Sequence, residues 1–239
     1  MLAKFIDKAR EDSLTASVFS HLLHLTSEQF WKILSGACYT KMQPEHPGEP
    51  ILVVAWPNWN ATKTSNEFRV FPDLLIRFTD FDLIIEAKIA EAGTQYREQW
   101  QNELIAYTNE YGKEKRQVRM IALGGIHSER GEPLSHTWSE PNGRSGESHH
   151  FECLVHMCQW STVLLECQRL KRELERKKHS ASRMAADIRI LNDLIALFAA
   201  HNYPALQWFK DFDFKSNFLT PLVDSDQQFF RNISHQFQS

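Results

Sequence analysis

Asp73, Glu86 and Lys88 are the residues of this chain whose types and spacing could do chemistry. They sit in the stretch Phe71-Pro72-Asp73-Leu74-Leu75-Ile76-Arg77-Phe78-Thr79-Asp80-Phe81-Asp82-Leu83-Ile84-Ile85-Glu86-Ala87-Lys88-Ile89, where two apolar runs lie back to back across a short polar turn. Paired antiparallel about Thr79-Asp80, the runs place Asp73 opposite Glu86 and Phe71 opposite Lys88. Side-chain alternation then puts Glu86 and Lys88 on one face and Ala87 on the other. Two opposed carboxylates repel unless a cation lies between them. A hard divalent ion resolves that repulsion, because Mg²⁺ takes oxygen ligands and keeps several waters. An ammonium beside it can hold a metal-bound water or stabilise charge developing on a phosphate. That combination is the chemistry of phosphodiester hydrolysis. The bland alternative is an edge hairpin whose charged ends are merely solvated.

The elements that must position these groups follow from periodicity and breakers. Apolar residues recur at helical spacing from Leu2 to Leu25, as one long helix or two short ones, and Ser27-Glu28-Gln29-Phe30 opens another helix that Gly36 should close. Ile51-Leu52-Val53-Val54-Ala55-Trp56 reads as a buried strand between prolines, and the two runs of the hairpin as strands over roughly 68–78 and 81–89. Tyr96, Trp100, Leu104, Tyr107 and Tyr111 lie about a turn apart and predict a helix closed by Gly112. Val118 to Gly125 is a short strand, His127 to His150 a long excursion without periodicity, and Phe151 to Cys158 a last core strand. Two helices, Ser161–Lys178 and Ser182–Ala200, form an antiparallel hairpin, and a tail crowded with aromatics follows from Tyr203. The fold class is α/β, a mixed central sheet flanked by helices with a C-terminal helical hairpin, divided at 1–160 and 161–239.

Pro72-Asp73 followed by Glu86-Ala87-Lys88 at the end of the next strand resembles the signature of the PD-(D/E)XK nuclease superfamily. The element order helix, strand, strand, strand, helix, strand resembles that family's restriction-endonuclease-like core over roughly residues 8–126. The resemblance implies a metal-dependent nuclease, with Mg²⁺, or Mn²⁺ in its place, held by Asp73, Glu86 and the Ala87 carbonyl. It implies that Lys88 activates the attacking water, and that Glu11, in Arg10-Glu11-Asp12, completes the acidic cluster. The family also carries a glutamine and a tyrosine one turn apart on the helix after the lysine. Gln95, Gln99, Glu103 and Tyr107 share one face here, with Glu103 at the position before Tyr107 where the family has glutamine. Gln99 and Tyr107 are the candidates for orienting substrate or Lys88. The implied substrate is nucleic acid, DNA in the first place, and the implied setting a nuclease subunit of a restriction or anti-phage defence system. A catalytically inactive nuclease fold used as an interaction module is the alternative.

Composition sets the remaining bounds. Across 239 residues, 27 Lys+Arg against 30 Asp+Glu give a formal charge of -3, so no global basic field draws the chain to a polyanion and contacts must be local. No apolar run approaches the roughly 20 residues of a membrane helix. Four scattered cysteines and an N-terminus without an apolar signal core fit a reduced, cytoplasmic protein. His150, Glu152, His156 and Cys158 alternate onto one strand face but match no closed zinc module. Arg169 to Lys178 is a basic run mixed with Glu173 and Glu175, best read as a solvated helix face. The helical hairpin of 161–200 suits packing on the core or on a partner, either a protein partner or a second copy. Trp56-Pro57-Asn58-Trp59 could stack bases or pack against the first helix. There is no phosphate-cradling glycine loop, nucleophile elbow or His-Glu-x-x-His, so kinase, serine-hydrolase and metalloprotease chemistry have no support.

Overall fold

Strand β5 (Phe81–Ala87) is buried at every position, and the rest of the fold explains why. It lies inside a six-stranded mixed sheet made, in order across the sheet, of β1 (Pro50–Ala55), β4 (Leu74–Phe78), β5, β6 (Gln117–Leu123), β8 (Ser148–Cys158) and β7 (Glu132–Ser139). Strand β4 (Leu74–Phe78) pairs with it antiparallel and β6 (Gln117–Leu123) parallel. A strand with partners on both edges and helices on both faces has no solvent-facing position, so its two carboxylates, Asp82 and Glu86, are buried with its apolar residues. The structure is a computed structural model that describes residues 11–89, 94–139, 148–177 and 182–203.

Helices α1 (Glu11–Leu22), α2 (Ser27–Ala37), α4 (Trp160–Arg176) and α5 (Ser182–Ala200) cover one face. Leu14, Val18, Trp31, Ile33, Val163, Leu170, Leu191 and Phe198 pack there on Leu74, Ile76, Leu83, Ile85 and Ile121. The second face carries α3 (Arg97–Tyr111), whose Trp100, Leu104 and Tyr107 meet Leu75, Ile84, Met120 and Ala122. Odd and even positions of β4 and β5 thus feed separate helix layers. The helical hairpin α4–α5 belongs to this body, which spans Met1–Ala205. The tail from 204 onward, including the expected packing of its aromatics, lies outside the described residues.

Several expectations need correction. Strand β1 (Pro50–Ala55) is not buried. It pairs only with β4 and forms the sheet's edge, leaving Ile51 63% exposed. The run expected over 68–78 is two strands. Arg69–Val70 (β3) pairs with Trp59–Asn60 (β2) in a separate two-stranded sheet, and Pro72, which has no N–H to give a ladder, stands before β4 begins at Leu74. Part of the excursion after His127 is a strand, β7 (Glu132–Ser139), antiparallel to β8 (Ser148–Cys158). Only Leu134 and Trp138 of it are buried, a half-covered edge whose polar positions hid the alternation. Helix α2 is capped by Thr26, not Ser27: the Gln29 amide N–H donates to Thr26 Oγ1 at 3.2 Å and the Thr26 N–H to Gln29 Oε1 at 3.1 Å. It runs past Gly36 to Ala37. Helix α1 is continuous over 11–22, and residues 1–10 lie outside the described residues. No helix among the described residues is long and apolar enough to cross a membrane.

Candidate active site

The β4–β5 ladder pairs Leu74 with Ile85 and Arg77 with Asp82. Continued by one step, this register sets Asp73 against Glu86, as the turn at Thr79-Asp80 requires. Because Leu75 and Ile84 face α3, so do Asp73, Glu86 and Lys88, each an even number of residues away.

Asp73 is buried and engaged on both oxygens. The Ala87 amide donates to Oδ2 at 2.7 Å, and the Trp56 indole donates to Oδ1 at 3.2 Å. The Trp56 backbone N–H also donates to the Asp73 carbonyl, at 3.0 Å. This double tie holds Trp56 at φ 47°, a left-handed conformation that bulky residues rarely adopt, and such strain collects at functional sites.

Glu86 is 2% exposed. Its Oε1 accepts from Lys88 Nζ at 2.5 Å and from the Gln99 side-chain amide. Among the described residues no donor reaches its Oε2, nor Oε2 of Glu103, which is 1% exposed. Burial pushes the Glu103 carboxyl well above the usual range. The charge of Glu86 and a hydrogen bond with it act the same way, then the charge of Asp73, while the Lys88 ammonium opposes them. Two buried carboxylates in contact cannot both stay ionised without something positive between them. A proton on Glu103, donated to Glu86, satisfies one state of the site, and a cation would satisfy another.

The frame around Lys88 is built by backbone. Its N–H donates to Leu123 O at 2.8 Å and its carbonyl accepts from the Trp160 indole at 2.9 Å. Gly124 and Gly125, at φ 72° and 59°, let the end of β6 pass beside it. A Cβ on Gly124 would stand 2.1 Å from the Lys88 carbonyl oxygen, and one on Gly125 2.9 Å from Lys88 Cβ. Gln95 closes the frame. Its side-chain amide donates to the Glu86 carbonyl at 3.0 Å, its Oε1 accepts from the Trp100 indole at 2.7 Å, and its backbone N–H donates to Gly125 O at 3.1 Å.

Asp73, Glu86, Ala87, Lys88 and Gln99 are therefore brought together. Tyr107 is not: its hydroxyl donates to Asp82 Oδ2 at 2.8 Å, in a cluster with Arg77 and Arg116. The reason is geometric. Gln99 and Tyr107 are two helical turns apart, about 12 Å, and α3 runs back along β5, so Tyr107 meets the strand four residues before Glu86, about 13 Å away. Glu11 opens α1, whose buried side chains lie in the opposite layer, and the place of its own side chain lies outside what is described. Residues not singled out as ligands or positioning groups are Glu103, Gln95 and Trp56. The four-residue steps Gln95, Gln99, Glu103 carried the signal for the first two, and nothing local marked Trp56. The two tryptophans of Trp56-Pro57-Asn58-Trp59 part company, since Trp59 is buried against Tyr107 and Tyr111. His156 is a core histidine, its Nδ1 2.8 Å from Thr40 Oγ1. On α4 the basic run is paired along the helix, with Arg169 on Glu166, Lys171 on Glu175 and Lys177 on Glu173.

Among the described residues no three His, Cys, Asp or Glu side chains stand as a ready metal cage. The donor set nevertheless suits Mg²⁺, which is held through one or two carboxylates and retains its waters, and the buried Glu86 Oε2 has a lone pair to give. Beside Gln99 and Glu103 opens a cleft of about 440 Å³, lined also by Arg69, Phe71, Tyr96 and Asn102. Compared with protein-family models, curated proteins and solved structures, the chain matches none.

Proposed function

We propose that this chain is a metal-dependent nuclease of restriction-endonuclease-like architecture, hydrolysing phosphodiester bonds in DNA. The observation that carries the reading is that Asp73, Glu86 and Lys88 stand on one face of the β4–β5 hairpin, with Lys88 Nζ 2.5 Å from Glu86 Oε1 and with Gln99 and Glu103, which line a cleft, against Glu86. Asp73 and Glu86 are the residues that would hold Mg²⁺ or Mn²⁺. A bound divalent ion supplies the charge that makes a coordinated water nucleophilic near neutral pH. Lys88, whose ammonium sits on Glu86 Oε1, would stabilise charge on the reacting phosphate and hold the attacking water. Gln99 fixes Glu86 Oε1, and the Ala87 amide with Trp56 fixes Asp73. The inactive-fold alternative also has an observation behind it, since Glu86 Oε1 is already taken by Lys88 and Gln99.

Plasmid, single-stranded DNA and RNA incubated in Mg²⁺ or Mn²⁺ decide between them. Cleavage should fall by at least about a hundred-fold in Asp73→Ala and Lys88→Ala, the scale of losing a group that stabilises transition-state charge. If nothing is cut by the wild type, or the variants cut equally well, the assignment fails.

A further inference from the structure

We propose that the cleft beside Glu103 and Gln99 takes an unpaired nucleotide, so that the site acts on single strands or frayed ends and not on intact duplex. This rests on the nuclease reading of Asp73, Glu86 and Lys88. Two flat rings line the cleft and stay open to solvent, Phe71 at 55% and Tyr96 at 59% exposure. Each is tied by sequence to the chemistry: Phe71 lies two residues before Asp73, and Tyr96 follows Gln95 and is the N-cap residue of α3. The cleft shares its inner wall, Gln99 and Glu103, with the carboxylate cluster. A nucleotide seated there would place its phosphate next to the proposed metal ligands.

The choice of an unpaired base follows from what surrounds the rings. A base inside a duplex has both faces covered by its neighbours and offers none to a protein ring. Stacking therefore demands an unpaired base, and it tolerates any sequence because every base has a π face. Backbone-tracking cannot replace it. Among the described lining residues Arg69 is the lone cation, while Glu98 and Glu103 line the same cleft, and the whole chain carries a net charge of -3. Phosphate contacts are thus few, and affinity must come from the rings with little salt dependence. At about 440 Å³ the cleft falls within the roughly 300–1,000 Å³ of small-ligand sites, a space for one nucleotide and not for a duplex.

The test is equilibrium binding of the full chain in EDTA, read by fluorescence anisotropy of labelled oligo-dT, labelled oligo-rU and a mixed-sequence duplex. At least one single strand should bind about ten-fold tighter than the duplex, and Tyr96→Leu and Phe71→Ala should each lose about ten-fold of that affinity, the size of one lost stack. Tyr96→Phe keeps the ring and should bind like the wild type. Equal affinity for duplex and single strands overturns the proposal, and so does undiminished binding by Tyr96→Leu and Phe71→Ala. Single-strand binding without cleavage in Mg²⁺ would sustain the cleft and remove the nuclease reading, whereas duplex cleavage without single-strand preference would do the opposite.

Discussion

Two buried carboxylates on the same face of β5, four residues apart, live in opposite circumstances. Asp82 is fully matched: Arg77 donates twice to Oδ2 at 3.1 and 2.9 Å, Tyr107 adds a third donor there, and Arg116 donates to Oδ1 at 2.9 Å. Glu86 has Lys88 and Gln99 on one oxygen and no donor on the other, with Glu103 pressed against it. A buried carboxylate whose charge is met by two guanidinium groups, as Asp82 is, serves the fold, since nothing is gained by adding a cation. A buried carboxylate left short of donors is an expense that natural proteins rarely keep without a function. The contrast favours the Glu86 end of the strand as the candidate site and the Asp82 end as scaffold.

That contrast breaks if the wrong end proves sensitive. Asp82→Ala carries the largest expected effect, a loss of about 3–5 kcal/mol in urea unfolding, because the partly buried Arg116 would lose its carboxylate and Arg77 would keep only the more exposed Glu114. Next comes Tyr107→Phe, which removes a hydrogen bond to a charged group and should cost about 1.5–3 kcal/mol while leaving nucleic-acid cleavage intact. A fall in cleavage comparable to that of Lys88→Ala would return Tyr107 to the site and dissolve the distinction. The smallest effect is a change of slope. Burial and Glu86 raise the Glu103 pKa above its unfolded value, so the folded chain holds a proton that the unfolded chain releases. Stability measured in EDTA should therefore be full below the unfolded pKa and decline as pH rises through the raised folded value. Glu103→Gln should flatten that decline. An unchanged pH profile would show that Glu103 and Glu86 do not share the proton.

Much of the site was legible in local residues. The polar turn at Thr79-Asp80 determined the register, and period two then placed Asp73 against Glu86 and put Lys88 on the same face. The helix bearing Gln99 and Glu103 was equally readable from its aromatic spacing. Tyr107 was misplaced because one helical face spans the whole length of a strand, and a shared face does not mean a shared site. Strand β1 was misread because an apolar run looks alike in the centre of a sheet and at its edge, and β7 because a half-covered edge strand keeps polar residues at alternate positions.

By itself the sequence determined what depends on neighbours along the chain: strand alternation, the hairpin register and the glycine turn after β6. These follow from backbone sterics and side-chain period, which act over a few residues. Only the tertiary structure decided which carboxylate was matched and which was left short. That depends on donors from Arg116, Gln99 and Trp56, residues brought in from 34 positions after Asp82, from the next helix and from the residue just past the sheet's edge strand. Satisfaction of a buried charge is a property of everything packed around it, and no local pattern encodes it.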